Sequence, residues 1–260
     1  MTLQIEQAAE RLAEAAKSRT PCAPVRDLIG ERDQDAAYAV QSRLTEQRLD
    51  AGGRIVGRKI GLTSAAVQRQ FGVFSPDFGM LFADMVYADG APIALATLLQ
   101  PRVEAEVAFV LGRDRDMPAA TVADVLRATE FVLAAIEVVD SRIAGWDITI
   151  TDTIADNGSS GAVVLGTVPY ALNGLDLTEV GMVLEHGGEP VSAGAGAACL
   201  GSPVTAVAWL AQQAARHGRP LREGDVVLSG ALGPMVDVPG PGRYRARLDG
   251  LGEVEAVFRP

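Results

Sequence analysis

Only two cysteines, Cys22 and Cys199, occur in 260 residues, far apart and in no CxxC pattern. So few thiols exclude a disulfide framework and a cysteine-built zinc site, and they fit a cytoplasmic chain. Histidine is equally scarce, with only His186 and His217. Two imidazoles are too few for a His-rich transition-metal site. Lys and Arg number 23 against 33 Asp and Glu, a formal charge of −10. Binding to a phosphate backbone needs clustered cations, so a nucleic-acid partner is not expected. Long apolar runs are missing too: none reaches the roughly 18–20 residues of a membrane helix. The opening stretch MTLQIEQAAERLAEAAKSR has no basic region leading into an apolar one, so it does not read as a secretory signal. GxGxxG, Walker and GxSxG patterns are also missing, which removes the commonest nucleotide-binding and serine-hydrolase signatures.

What remains is a chain with 48% hydrophobic residues, enough for a substantial core. Residues 1–50 carry helical periodicity. Ile5, Ala8, Ala9 and Leu12 form one stripe, and a second pattern runs from Asp33 to Leu49. The break TPCAPVRDLIG holds two prolines and a possible cap at Asp27. From Ile55 the texture changes to glycines and β-branched residues. Strands are expected at 103–111, 131–139, 161–165, 180–185, 226–229 and 254–258. Helices are expected at 64–71, 121–129 and 202–218, the last with Ser202 as cap, Pro203 in the first turn and Gly218 as stop. The fold class is therefore α+β: a helical N-terminal segment, 1–53, followed by a β-rich mixed-sheet body, 54–260.

The stretch PRVEAEVAFVLG (101–112) carries the chemistry. It reads as a strand entering a core, yet Glu104 and Glu106 occupy alternate positions and so share one face. Two like charges there repel, and burial adds a desolvation cost of about several kcal/mol each. The face is solvated, or one carboxyl keeps its proton, or a cation sits between them. FVLAAIEVVD then places one charge, Glu137, among eight apolar residues that end in Asp140. A lone Glu in that setting is a core acid paired with an Arg, or a ligand. Three carboxylates in two apolar strands make a shared hard-cation site plausible chemistry, and oxygen-only ligation suits Mg²⁺ or Mn²⁺ better than Zn²⁺.

Other stretches admit two readings each. In GRKIGLTS, Arg58 and Lys59 face opposite sides of a strand. Ordinarily one would be exposed and one would snorkel; functionally, Lys59 is a cation facing an anionic substrate. SPDFG puts Asp77 at a turn, where such an Asp ordinarily caps or holds the turn. TDTIADNGSSG (151–161) is either a polar loop or a substrate-binding loop that includes Ser160. ALGPMV (231–236) is a tight turn without an ionisable group. His186, in a hairpin turn, and His217, at a helix end, read as surface residues.

Taken together, GRKIGLTSAAVQRQFGVFSPDFGMLFADM, LQPRVEAEVAFVLG, AAIEVVDSRIAGWDITITDTIADNGSSG and RPLREGDVVLSGALGPMV resemble the 2-keto-4-pentenoate hydratases, within the fumarylacetoacetate hydrolase superfamily. The likeness runs from about residue 54 to the C-terminus, and the helical N-terminus agrees with it. It implies that Glu104, Glu106 and Glu137 hold Mg²⁺ or Mn²⁺, that Lys59 and Asp77 are the active-site lysine and aspartate, and that Ser160 lies near the substrate. It further implies a 2-hydroxypenta-2,4-dienoate substrate, hydrated to 4-hydroxy-2-oxopentanoate in aromatic meta-cleavage catabolism. A homo-oligomer, with a decamer as the expected size, and a complex with a decarboxylase or a downstream aldolase also follow from the resemblance. The sister 4-oxalocrotonate decarboxylase shares GRKxGLTS, the ExE pair and the later Glu. SPDFGMLFADM, the tryptophan of DSRIAGWDITITDT and the SGALGPMV ending favour the hydratase. A non-catalytic partner of such a complex would have no reason to retain Lys59, Asp77 and three mutually repelling glutamates.

Overall fold

Alternating β-branched and small residues after residue 54 build two sheets that pack on each other, while the Ala-rich N-terminus supplies helices that close one side. The computed structural model describes residues 2–64, 68, 75–114 and 119–260. Three helices come first: α1 (Thr2–Ser18), the short α2 (Arg26–Ile29) and α3 (Gln34–Asp50). Ala8, Ala9, Leu12 and Ala15 form the buried stripe of α1, which packs against α3. Asp33 caps α3, its side chain accepting from Ala36 N at 2.9 Å. Asp27 is not a cap. It lies inside α2 and pairs with Arg11 at 2.7 Å.

Among the described residues, the larger sheet has eight strands: β1 (Ile55–Gly61), β2 (Asp77–Phe82), β3 (Val86–Ala88), β5 (Pro101–Leu111), β6 (Thr129–Asp140), β7 (Ser160–Leu165), β10 (Val226–Leu228) and β11 (Val236–Asp237). Their order is β2-β1-β10-β5-β6-β7-β3, with β11 paired to β5. The smaller sheet runs β4-β13-β12-β8-β9, from β4 (Pro92–Ala94), β8 (Gly181–His186), β9 (Glu189–Ala195), β12 (Gly242–Leu248) and β13 (Gly252–Arg259). Strands β12 and β13 pack on β6, so the core lies between the sheets. The helix Pro203–Arg216 packs on β1 and on the helix Val122–Ala128.

The expected strands are all present within a residue or two at either end. Three expectations change in detail, and a fourth lies outside the described residues. The helix expected at 64–71 falls largely outside the described residues. Ser202 precedes the helix Pro203–Arg216, but its side chain makes no capping hydrogen bond. Residues 150–155 form a helix rather than a loop, followed by the turn Asn157–Ser159. Asp152 and Asp156 gave that stretch a polar composition, yet both are buried. Asp77, finally, opens strand β2 instead of sitting in a turn.

Candidate active site

Strand pairing alone assembles the acidic cluster. Glu104 of β5 lies directly opposite Glu137 of β6, and Glu106 follows on the same face, two residues along. One carboxylate oxygen from each of the three residues lies within 4.8 Å of the others. Glu106 and Glu137 are buried and Glu104 is half-buried, so the solvated alternative is excluded. Like charges directly across a ladder destabilise it, and burial adds to the cost. Burial pushes the Glu104 carboxyl up to about 7, with the Glu137 charge adding to the effect. Glu106 is driven well above the ordinary carboxylate range by burial, then by Glu137 and Glu104. Glu137 is also raised by burial, with Lys59 pulling the other way.

Two strands away, β1 supplies Lys59. Its partners in register are Leu228 of β10 and Gly79 of β2. Lys59 is buried, with Nζ 3.3 Å from Glu137 Oε1. Burial opposes its charge, but Glu137, Asp77, Glu104 and Glu106 outweigh that and hold the ammonium above the usual lysine range. Lys59 is thus a cation, not a neutral amine. Arg58, on the opposite face, is buried as well, against the expectation that one of the pair would be exposed. Its guanidinium donates to the Gly57 and Arg219 carbonyls.

Asp77 stands opposite Gly61. A methyl group at Gly61 would lie 2.1 Å from Asp77 Oδ1 and 3.2 Å from Lys59 Nζ, so both side chains reach over the open face of a glycine that cannot be anything larger. Thr153 Oγ1 donates to Asp77 Oδ2 at 3.0 Å, while Oδ1 is buried without a donor among the described residues. Ser160 opens β7 and is buried, but its hydroxyl donates to Asn157 O at 2.8 Å. The Asn157 side chain in turn brackets Met80, accepting from its N–H at 2.7 Å and donating to its carbonyl at 2.9 Å.

The turn after β10 holds the cluster from the other side. Gly230 N donates to Glu106 Oε2 at 2.7 Å. Gly230 has φ +102°, and a Cβ there would meet Thr63 Oγ1 at 2.3 Å, so only glycine fits. Cys199 Sγ donates to the Gly230 carbonyl at 3.0 Å, and burial pushes that thiol up to about 12, so it is an inert support rather than a nucleophile. The sequence shows nothing chemical in this turn, because its contribution is a backbone N–H. Neither histidine joins the site. His217 packs on the Tyr38 and Phe78 rings at 4.3 and 5.4 Å, and His186 stacks on Tyr244 in the smaller sheet.

The oxygens left over indicate what the cluster is for. Among the described residues, Glu106 Oε1 and Glu137 Oε2 are buried with no donor, and Glu137 Oε1 meets only the Lys59 ammonium at 3.3 Å, without a hydrogen bond. Buried carboxylates without donors are costly unless a cation meets them. An all-oxygen donor set without His or Cys fits a hard divalent ion. A cavity of about 800 Å³ between the N-terminal helices and the sheet is lined by Ser160 and Asn157 but by none of these acids, so it is not this site.

Residues 56–259 match the family model described as fumarylacetoacetate (FAA) hydrolase C-terminal. The chain is 60% identical to the TodF product hydratase of Pseudomonas putida and 52% identical to a 2-keto-4-pentenoate hydratase of Paraburkholderia xenovorans. Each alignment covers 98% of this chain and 95% of the relative. The chain belongs to the 2-keto-4-pentenoate hydratase branch of the fumarylacetoacetate hydrolase family. A solved structure of 4-oxalocrotonate decarboxylase from Pseudomonas putida G7, complexed with magnesium and adipate, has the same fold. Its TM-score is 0.95 at 32% identity, covering 100% of this chain and 98% of that one. Members of this family thus share one scaffold across more than one reaction, and the residues at the site must carry the distinction.

Proposed function

We infer that this chain is a hydro-lyase that adds water to 2-hydroxypenta-2,4-dienoate, the enol of 2-oxopent-4-enoate, to give 4-hydroxy-2-oxopentanoate. The observation that carries the reading is the 60% and 52% identity to hydratases over nearly the whole chain, against 32% to the decarboxylase. Glu104, Glu106 and Glu137 would hold a divalent ion, Mg²⁺ or Mn²⁺. When bound, that ion supplies Lewis-acid stabilisation of negative charge developing at the substrate's C2 oxygen.

The chain's own groups do the rest. Lys59 is a fixed, buried cation that attracts the anionic substrate and balances its charge. Asp77 presents one unpartnered oxygen beside Lys59, placed to hold a proton or orient a water. The reaction needs a proton at C5 to reach the 2-oxo-3-enoate, water addition at C4, and a proton at C3. Lys59 and Asp77 are the groups assigned to those transfers. Ser160 keeps the 157–160 turn against β2 at the edge of the substrate space. The reading includes a cytoplasmic homo-oligomer, a decamer, that can associate with a decarboxylase or an aldolase. Light scattering tests the assembly: a mass of 27.2 kDa unchanged on concentrating counts against it.

The decarboxylase is the second reading, on the strength of the near-identical fold. Ultraviolet decay of the dienoate with Mg²⁺, Mn²⁺ or EDTA, with product identification, separates the two. Metal-dependent formation of 4-hydroxy-2-oxopentanoate is expected. Release of carbon dioxide from 4-oxalocrotonate without hydration would give the case to the decarboxylase.

A further inference from the structure

We propose that Thr153 and Gln41 are positioning residues that fix the orientation of Asp77, so that the N-terminal helices help set the geometry of the reaction. The proposal rests on Asp77 acting in the site as read above.

Asp77 is buried at the start of β2, and its two oxygens have different surroundings. Oδ2 accepts from the Thr153 hydroxyl at 3.0 Å; Oδ1 has no donor and lies over Gly61 beside Lys59. A carboxylate on a short side chain rotates readily about χ2, so anchoring one oxygen fixes the plane of the group and aims the other oxygen toward Lys59. Thr153 therefore sets the direction in which the free Asp77 oxygen points.

Thr153 is itself held on both sides. The next residue, Ile154, offers its carbonyl to Gln41 Nε2 at 2.9 Å, and the same amide nitrogen donates to the carbonyl of Phe78, the residue after Asp77, at 2.8 Å. One buried amide from α3 thus ties together the two backbones that carry the hydroxyl and the carboxylate. The residue before Thr153, Asp152, accepts from Val25 N and Arg26 N, each at 2.9 Å. The segment leading into α2 and the middle of α3 grip the helix Ile150–Ala155 immediately before and after Thr153. Gln41, Thr153 and Asp77 are all buried, so no water competes for these bonds.

The test uses the full-length, Mg²⁺-loaded enzyme. Thr153→Val keeps the side-chain shape and removes the donor; Thr153→Ser keeps the donor. The valine variant is expected to lose about tenfold or more in kcat, with KM and the Mg²⁺ dissociation constant within about twofold of wild type. The serine variant should recover most of the loss. Gln41→Met should lower kcat in the same direction. Its effect should largely vanish in the Thr153→Val background, because groups acting through one carboxylate are not additive. A crystal structure of Thr153→Val should show the Asp77 carboxylate turned relative to wild type.

Full kcat in Thr153→Val would overturn the proposal. So would a kcat loss that serine does not recover, or an unmoved Asp77 in the variant crystal structure. If the wild-type enzyme does not hydrate the dienoate, the functional reading fails on that arm alone, and the Asp77 orientation in the two crystal structures still decides this one.

Discussion

The molecule buries two sets of carboxylates, and they are treated in opposite ways. Asp152 accepts from five donors: the N–H groups of Val25, Arg26 and Thr149, the Thr149 hydroxyl, and Arg26 Nη1 at 2.7 Å. Every lone pair it presents is answered, and it holds the N-terminal segment to the body. Glu106 and Glu137 are just as buried, but among the described residues three of their four oxygens have no hydrogen-bond donor, and one Lys59 ammonium, 3.3 Å from Glu137, is set against them and a third carboxylate beside them. Burial by itself therefore does not distinguish a structural acid from a functional one. The count of unanswered oxygens does. A fold keeps an acid with a full set of donors because it stabilises the chain. It keeps one without donors only where something else arrives to meet the charge.

Removing a charge from each set sharpens the contrast most. Glu106→Gln or Glu137→Gln is expected to lower activity and divalent-metal affinity by at least about tenfold. The Glu106→Gln apo protein should be no less stable, and more stable if relief of repulsion dominates, whereas Glu137→Gln also strips the buried Lys59 ammonium of its ion-pair partner and should be less stable. Isothermal titration with Mg²⁺ or Mn²⁺ and a melting curve in EDTA read both quantities. Full activity at low metal in both variants would remove the cluster from the mechanism. Asp152→Asn should do the reverse. Breaking a buried, fully bonded ion pair costs about 3 kcal/mol or more, read as a lower midpoint in urea. Metal affinity measured well below the transition should barely change.

The pH dependence separates the sets next. Glu104 has its pKa raised from 4.5 to about 7 by burial and by Glu137. A carboxyl whose folded pKa exceeds its unfolded value contributes stability that is present below the unfolded value and is lost as pH rises through the folded one. Between about pH 4.5 and 7 this group therefore makes the apo protein less stable as pH rises. A divalent ion needs the ionised ligands, so its binding should release protons in that window. The stabilisation it gives should grow toward neutral pH. Thermal melts with Mg²⁺ and with EDTA across that range check both. A gap between the two curves that is constant with pH would break the assignment.

How much of this was legible in the sequence follows from the same physics. The period of two in a strand is enough to put Glu104 and Glu106 on one face, and an apolar context marks Glu137 as unusual. Those signals are local, and the structure brings the three together. The supports were not legible because they act through space. Gly230 contributes only a backbone N–H to Glu106, Gln41 reaches two carbonyls from another helix, and Cys199 holds a turn. Asp152 was hidden for a different reason: TDTIAD is as polar as a loop, and only its five donors reveal that it is core. Arg58 escaped notice because strand alternation predicts opposite faces, not that both faces are covered.

The smallest expected effect lies at Asp27, which separates a surface charge from both buried sets. Read from sequence as a possible cap, Asp27 would have been worth about 1 kcal/mol, independent of salt. In the structure it lies within α2 and pairs with Arg11, whose Nη1 also donates to the Pro24 carbonyl. Its side chain is 59% exposed. Water and counter-ions screen such a pair, and holding two side chains in one geometry opposes the attraction, so exposed pairs contribute about 0.2–1 kcal/mol. Asp27→Asn should therefore lower stability by a fraction of a kcal/mol in dilute buffer, and the difference should shrink in about 0.5 M NaCl. Activity and metal affinity should stay at the wild-type level. Urea midpoints at the two salt concentrations make the measurement. A loss near 1 kcal/mol that salt leaves unchanged would restore the capping role, because a carboxylate accepting from backbone N–H groups is a directional bond that screening barely touches.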